Sequence, residues 1–233
     1  QNTGVLGVRP GPTMASSDQL KITITGRQTH GAAPWAGVDP IVTAAQVVMG
    51  LQTIVSRGLE ITREPAVVTI GTIHGGLRQN IIPDEVTMTG TIRTFDEAMR
   101  DDVHERVKYL GETIARANRA NCLVCIDKHY PVTVNDAAFT RWASGVAVDT
   151  FGADHVVEMP SPIMGAEDFS YVLQKVPGSM FFLGVCPPEN PNPFEAPACH
   201  SNRMVLHEPA MATGIAMHVS VATSFLAAKG QFT

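Results

Sequence analysis

Two hydrophobic periods alternate over residues 20–128, and their order leaves few folds open. Leu20, Ile22 and Ile24 alternate with Lys21, Thr23 and Thr25, a period of two that predicts a half-buried strand. From Pro40 to Ser56 the period lengthens. Ile41, Ala44, Ala45, Val48, Leu51, Ile54 and Val55 recur at three- and four-residue spacing behind Asp39 and Pro40, a cap and a first-turn residue, so an amphipathic helix is expected. Strands are expected over Ala66 to His74 and Glu85 to Thr94, joined by the turn-rich Gly75 to Asp84. A helix over Glu97 to Ala117 places Met99, Val103, Val107, Leu110 and Ile114 along one stripe, and a strand from Cys122 to Lys128 closes the set. The order βαββαβ is that of a ferredoxin-like sandwich, four antiparallel strands covered on one face by two helices.

Beyond about Tyr130 the pattern changes. A helix (Ala137 to Phe151), a loop with Pro160 and Pro162, a short helix (Asp168 to Lys175), an apolar strand (Met180 to Val185), a Pro/Asn loop (Pro187 to Pro197) and a helix from about Glu208 to Ala228 follow. One strand is too few for a sheet of its own, so these residues are expected to complete a larger domain. The first 17 residues, a strand fragment and a Gly/Pro connector, would join it, because an inserted domain leaves and returns near the same place. The expected organisation is a partial α/β domain from 1–17 and 130–233, with an inserted α+β domain at 18–129.

Composition narrows the function classes. The chain is 44% hydrophobic and 17% charged, with no repeat period, as for an ordinary globular protein. Its net charge of −5 and the lack of any Lys/Arg run longer than two argue against a nucleic-acid partner. Apolar runs such as Ala66 to Ile70 are too short to span a bilayer, and no signal-peptide pattern stands at the start, so a cytoplasmic protein without a membrane partner is expected. The chain begins at Gln1, which leaves room for an absent N-terminal part. Four cysteines over 233 residues do not make a disulfide framework. Cys122 and Cys125 form a C-x-x-C, but on a strand residues three apart face opposite ways, so neither zinc nor redox chemistry is expected of them.

Titratable residues cluster in three loops: Thr29 to Pro34 around His30, Arg78 to Asp84 around Asn80, and Met164 to Ser170 together with Cys199 to Ser201. Each has an ordinary reading. His30 suits a metal ligand, a base, a substrate contact or a plain turn residue, and Asn80 a turn former. Glu167 and Asp168 suit the start of a helix, and His200 a surface loop.

Taken in order, "GRQTHGAAP", "GVDPIVTAAQVVMGLQTIVSR", "VVTIGTIHGG", "QNIIPDEVTMTGTIRTFD", "GAEDFSYVLQKVPGSMFFLG" and "CHS" are more specific. Their order and spacing over residues 4 to 228 resemble the co-catalytic zinc amidohydrolase and carboxypeptidase superfamily, in particular its aminoacylase, hippurate hydrolase and auxin-conjugate hydrolase branch. The resemblance implies a ferredoxin-like satellite domain, used for dimerisation, inserted into a zinc-peptidase-like α/β domain. It implies that His200 is a metal ligand and that His30 reaches the partner subunit's active site to polarise the scissile carbonyl and stabilise the oxyanion. It further implies that Asn80 binds the carboxylate end of the substrate, with charge from Arg93, and that Glu167 is the acidic residue of a loop near the metal, Asp168 being structural.

The departures are equally informative. The family's other metal ligands and its general-base glutamate precede this region, and the chain has no H-x-D, no C-x-H and no Glu-Glu pair. A catalytic zinc needs about three protein ligands and a water. The reading is therefore the C-terminal portion of a metal-dependent amidohydrolase, inactive alone, that cleaves an N-acyl amino acid or small peptide as a homodimer. Each complete site would hold two divalent ions, zinc or else manganese, nickel or cobalt. The alternative is a non-catalytic dimerisation or ligand-binding module.

Overall fold

A computed structural model describes residues 2–190, 192, 195–197 and 199–232. Pro191, Pro193 and Phe194 of the expected Pro/Asn loop lie outside the described residues. In chain order the elements are β1 (Leu6–Val8), β2 (Gly11–Met14), β3 (Asp18–Thr25), β4 (Thr29–His30), α1 (Pro40–Thr53), β5 (Ala66–Gly75), β6 (Ile81–Ile82), β7 (Glu85–Thr94) and α2 (Glu97–Ala117). They continue with β8 (Asn121–Lys128), β9 (Thr133–Asn135), α3 (Ala137–Phe151), β10 (Val156–Glu158), α4 (Phe169–Leu173), β11 (Phe182–Leu183) and α5 (Met211–Ala227). The chain divides into two compact units. One takes the residues up to Thr13, Thr133–Ile163 and Phe169 onward; the other takes Met14–Val132 and Met164–Asp168.

The second unit is built on a four-stranded sheet of order β5-β7-β3-β8, antiparallel throughout. The alternation in β3 puts Leu20, Ile22 and Ile24 into the core, where burial of each such side chain contributes about 1.5–3 kcal/mol. Helix α1 packs over β7, β5 and β3, and α2 over β8 and β7, with the two helices also against each other. Asp39 caps α1 by accepting from the amides of Ile41 and Val42, with Pro40 in the first turn where its missing N–H costs nothing. Asp96 caps α2 through the Met99 amide.

The α1 stripe differs from the periodicity in part, and the α2 stripe holds, with Met99, Leu110 and Ile114 packed against the core, but takes in two polar residues as well. In α1 the buried residues are Pro40, Thr43, Ala44, Val47 and Leu51, whereas Ile41 and Ala45 face outward. The helix is apolar around most of its circumference, so spacing alone does not select the buried face. In α2 the stripe residues Val103 and Val107 are buried together with Arg100 and His104, two polar residues one turn apart. Both converge on the fully buried Asp18 at the start of β3: His104 Nε2 lies 2.7 Å from Asp18 Oδ2, and Arg100 Nε donates to the same oxygen at 3.0 Å. Arg100 also donates to Glu97, which accepts the Val132 amide. Burial alone would raise the Asp18 pKa; the hydrogen bonds from His104 and Arg100 outweigh it and hold the carboxyl below its ordinary value.

The first unit holds a three-stranded sheet, β10-β1-β11, with β1 parallel to β10 and antiparallel to β11. Strand β10 was not apparent from the sequence because Val156, Val157 and Glu158 are too few to show a period. The expected strand Met180 to Val185 shortens to Phe182–Leu183. The Asn135 side chain ties this unit together, donating to the carbonyls of Arg9 and Met180 and accepting from the Met180 amide. Leu6, Ala143, Ala147 and Met217 form the small core, beside a cavity of 540 Å³ lined by Leu6, Phe139, Met180, Leu183 and Val221 among others.

Helix α5 follows directly on the 3-10 turn Glu208–Ala210. This 20-residue stretch is apolar and long enough to cross a bilayer by length and composition, and only 11% of it is buried. Small residues such as Ala212, Thr213, Gly214 and Ala216 dilute the larger apolar ones, so no single run announces it.

Candidate functional site

His30 and Asn80, fifty positions apart, are joined by the backbone. Strand β4 pairs with β6, His30 opposite Ile81, and the Gly31 amide donates to the Asn80 carbonyl at 2.7 Å. The turn is held at both ends. Arg27 and Val38 exchange two backbone hydrogen bonds across its neck, and Asp84 accepts from the amides of Gly26 and Gln28. A side chain at Gly31 would meet Asn80 backbone atoms at 3.0–3.3 Å, which explains the small residue there.

The orientation of the imidazole is chemically specific. The Ala32 amide donates to His30 Nδ1 at 3.0 Å. A nitrogen that accepts an N–H bears no proton, so neutral His30 carries its proton on Nε2 and presents that nitrogen as a donor. The side chain is exposed, as is Asn80. Two exposed polar groups on a rigid strand-linked turn suit recognition of a ligand carbonyl or carboxylate.

Arg93 does not join them. It sits on β7 opposite Val67, eight residues from Glu85 at the end next to the His30 turn, about 27 Å along the strand at the usual rise. Within one chain it lies at the opposite end of the sheet from Asn80, because a continuous strand cannot return its far end to its start. Glu167 is part of the Met164–Asp168 segment that groups with the second unit; its Oε1 accepts the Asp168 amide at 3.2 Å. His200 belongs to the first unit, exposed in a turn with φ +70°, a left-handed value uncommon for a side chain other than glycine.

No three His, Cys, Asp or Glu side chains converge as a metal-binding group among the described residues. A catalytic zinc takes about three protein ligands, so this donor set by itself does not fit a metal centre. Cys122 and Cys125 do not form one either: Cys122 packs against the core and Cys125 is exposed. Burial, with a smaller contribution from Glu112, pushes the Cys122 thiol up to about 11. The buried Asp18, Arg100 and His104 cluster escaped the sequence reading. The only available signal was Arg100 and His104 one turn apart beside Val103 and Val107.

Residues 15–118 match the peptidase dimerisation domain of the M20 family. The chain carries an M20 peptidase dimerisation domain. The chain is 34% identical to thermostable carboxypeptidase 2 of Saccharolobus solfataricus over 228 residues, 96% of this chain and 55% of that protein. It is 39% identical to N-acetyl-L-cysteine deacetylase of Bacillus subtilis over 181 residues, 78% of this chain and 42% of that one. Among solved structures, a dinuclear metal-binding M20 peptidase from Bacillus subtilis superposes with a TM-score of 0.73 at 29% identity, covering 95% of this chain and 54% of that one. The chain thus spans about half the length of these relatives, which are amidohydrolases and peptidases.

Proposed function

We propose that this chain is the C-terminal portion of a metal-dependent M20 amidohydrolase that hydrolyses the amide bond of an N-acyl amino acid or a small peptide. The observation that carries the reading is the His30–Asn80 turn, with an Nε2 donor fixed by the Ala32 amide. A donor preset in this way is what a developing oxyanion needs, and loss of one such donor typically costs about 10²–10³ in rate. In this reading His30 serves the partner subunit's site, Asn80 holds the substrate's carboxylate end, Glu167 lies near the metal, and His200 is one metal ligand. The remaining ligands and the base come from outside this chain, since the described donors do not form a centre. The names of the relatives support both an acyl amino acid and a peptide as substrate.

The antiparallel order β5-β7-β3-β8 with α1 and α2 on one face supports reading residues 18–129 as a ferredoxin-like satellite. Residues 1–17 and 130–233 then belong to the α/β catalytic domain. That no three-donor group forms among the described residues leaves one second reading, a dimerisation or ligand-binding module without catalysis.

Mixed dimers of the full-length enzyme separate the two readings. A His30→Ala subunit combined with a His200→Ala subunit should recover one working site in a heterodimer. No recovery, with both parents folded, would remove action in trans. Hydrolysis of N-acetyl amino acids by the purified 233-residue chain, with zinc or manganese added, would show that the centre is complete without further residues.

A further inference from the structure

We propose that Arg78 is the cation that pairs with the free carboxylate of the substrate, beside Asn80, and that the site thereby selects N-acyl amino acids whose carboxyl end is ionised over their neutral carboxamides. The proposal rests on the amidohydrolase reading and names the residue that supplies the charge in that same site. Arg93, on β7 opposite Val67, lies at the far end of the sheet from Asn80 and leaves that place open.

Arg78 and Asn80 belong to one turn. The Ile81 amide donates to the Arg78 carbonyl at 3.2 Å, which closes Arg78-Gln79-Asn80-Ile81 with Asn80 in the third position. Ile81 pairs with His30 across β4 and β6, and the Asn80 carbonyl accepts the Gly31 amide. The imidazole, the side-chain amide and the guanidinium are therefore carried on backbone segments bonded to one another. Gly76, at φ +83°, supplies the left-handed step that leads from β5 into this turn, a conformation that residues with a side chain rarely take. Arg78 itself is exposed.

The charge of Arg78 is not offset within these turns. Residues 29–38 and 75–82 contain no Asp or Glu, in a chain of net charge −5. The acids that flank them serve the backbone: Asp39 accepts from the Ile41 and Val42 amides, and Asp84 from the Gln28 amide. On α2 and β8, Arg100 pairs with Asp18, Arg106 with Asp102 and Lys128 with Asp101, whereas Arg78 forms no ion pair among the described residues. A guanidinium offers two parallel N–H donors that match a carboxylate, in bonds about twice as strong as neutral ones. The Asn80 amide carries no charge and by itself serves a carboxamide nearly as well as a carboxylate. Leu77, next to Arg78, is 99% exposed, and Trp35, beyond His30 on its turn, is 77% exposed. Apolar groups of this size, covered by a bound substrate, keep water from the ion pair and strengthen it.

A matched pair of substrates tests the assignment in the full-length enzyme: an N-acetyl amino acid and its C-terminal carboxamide, which share the scissile bond and differ in charge, with release of acetate measured. Wild type is expected to favour the carboxylate. Arg78→Gln is expected to lower kcat/KM on the carboxylate by about 10–100-fold, chiefly through KM, and to change it on the carboxamide by less than about threefold. Arg27→Gln, at another exposed arginine on the neck of the His30 turn, is expected to keep the preference. A wild type without the preference, an Arg78→Gln enzyme that keeps it or that loses both substrates equally, or loss of the preference in Arg27→Gln or Arg93→Gln in place of Arg78→Gln, would overturn the role of Arg78 while hydrolysis that depends on His30 still stands. A wild type that releases acetate from neither substrate, or no faster than His30→Ala does, would remove the amidohydrolase reading, and the carboxylate site with it.

Discussion

The Gly31 amide donates to the Asn80 carbonyl at 2.7 Å, making the histidine turn and the asparagine turn one backbone-linked unit. A Cβ at position 31 would approach the Asn80 carbonyl oxygen to 3.0 Å and its carbon to 3.1 Å, contacts with backbone that cannot rotate away. Gly31→Val is therefore expected to lower stability by about 1–2 kcal/mol, read from the urea midpoint. His30→Ala should change the midpoint by less than about 0.5 kcal/mol, since the side chain is exposed. In the full-length enzyme the same substitution should lower kcat by about 10²–10³, measured by amide hydrolysis at saturating substrate.

The buried Asp18 sets an acid dependence. Its pKa in the folded chain lies below the unfolded value of about 3.9, so its stabilisation is complete above that value and is lost as pH falls through the folded pKa. Asp18→Asn leaves Arg100 buried without its carboxylate and should cost about 3–5 kcal/mol at pH 7. Urea unfolding of both forms should show this difference at pH 7 and a smaller one at pH 3. A constant difference across that interval would count against the pair.

Thiol reactivity should divide the C-x-x-C. At pH 8 Cys122, with a thiol pushed up to about 11 by burial, is almost wholly protonated, and only the thiolate attacks an alkylating agent. Brief iodoacetamide treatment followed by peptide mapping should label Cys125 and spare Cys122. Equal labelling of the two would contradict the packing of Cys122 against the core.

Metal affinity should reside mostly outside this chain. Zinc titration of the 233-residue species is expected to show no stoichiometric site tighter than about 1 μM, because the described residues offer no three-ligand group. His200→Ala should leave its urea midpoint unchanged within about 0.5 kcal/mol, the side chain being exposed, and should abolish hydrolysis in the full-length enzyme. A tight one-to-one zinc site in the isolated chain would reverse the assignment.

The βαββαβ order, the alternation of β3 and the Asp39 cap were legible because each is set within a few residues by sterics and local hydrogen bonding. The short strands β10 and β11 were not, since two or three residues cannot display a period. His30, Asn80 and His200 were each visible as unusual residues in turns. The joint role proposed for them rests on motif order, as a lone histidine in a turn has too many uses to decide among.

Periodicity thus determined that residues 20–128 would form a sheet covered by two helices. Only the tertiary structure decided which face of α1 is buried, that Arg100 and His104 turn inward onto Asp18, and that Asn80 meets the His30 turn while Arg93 lies at the far end of the sheet. Each of these depends on which strand lies beside which. That is settled by burial shared among residues distant in the chain, a quantity that local spacing does not contain.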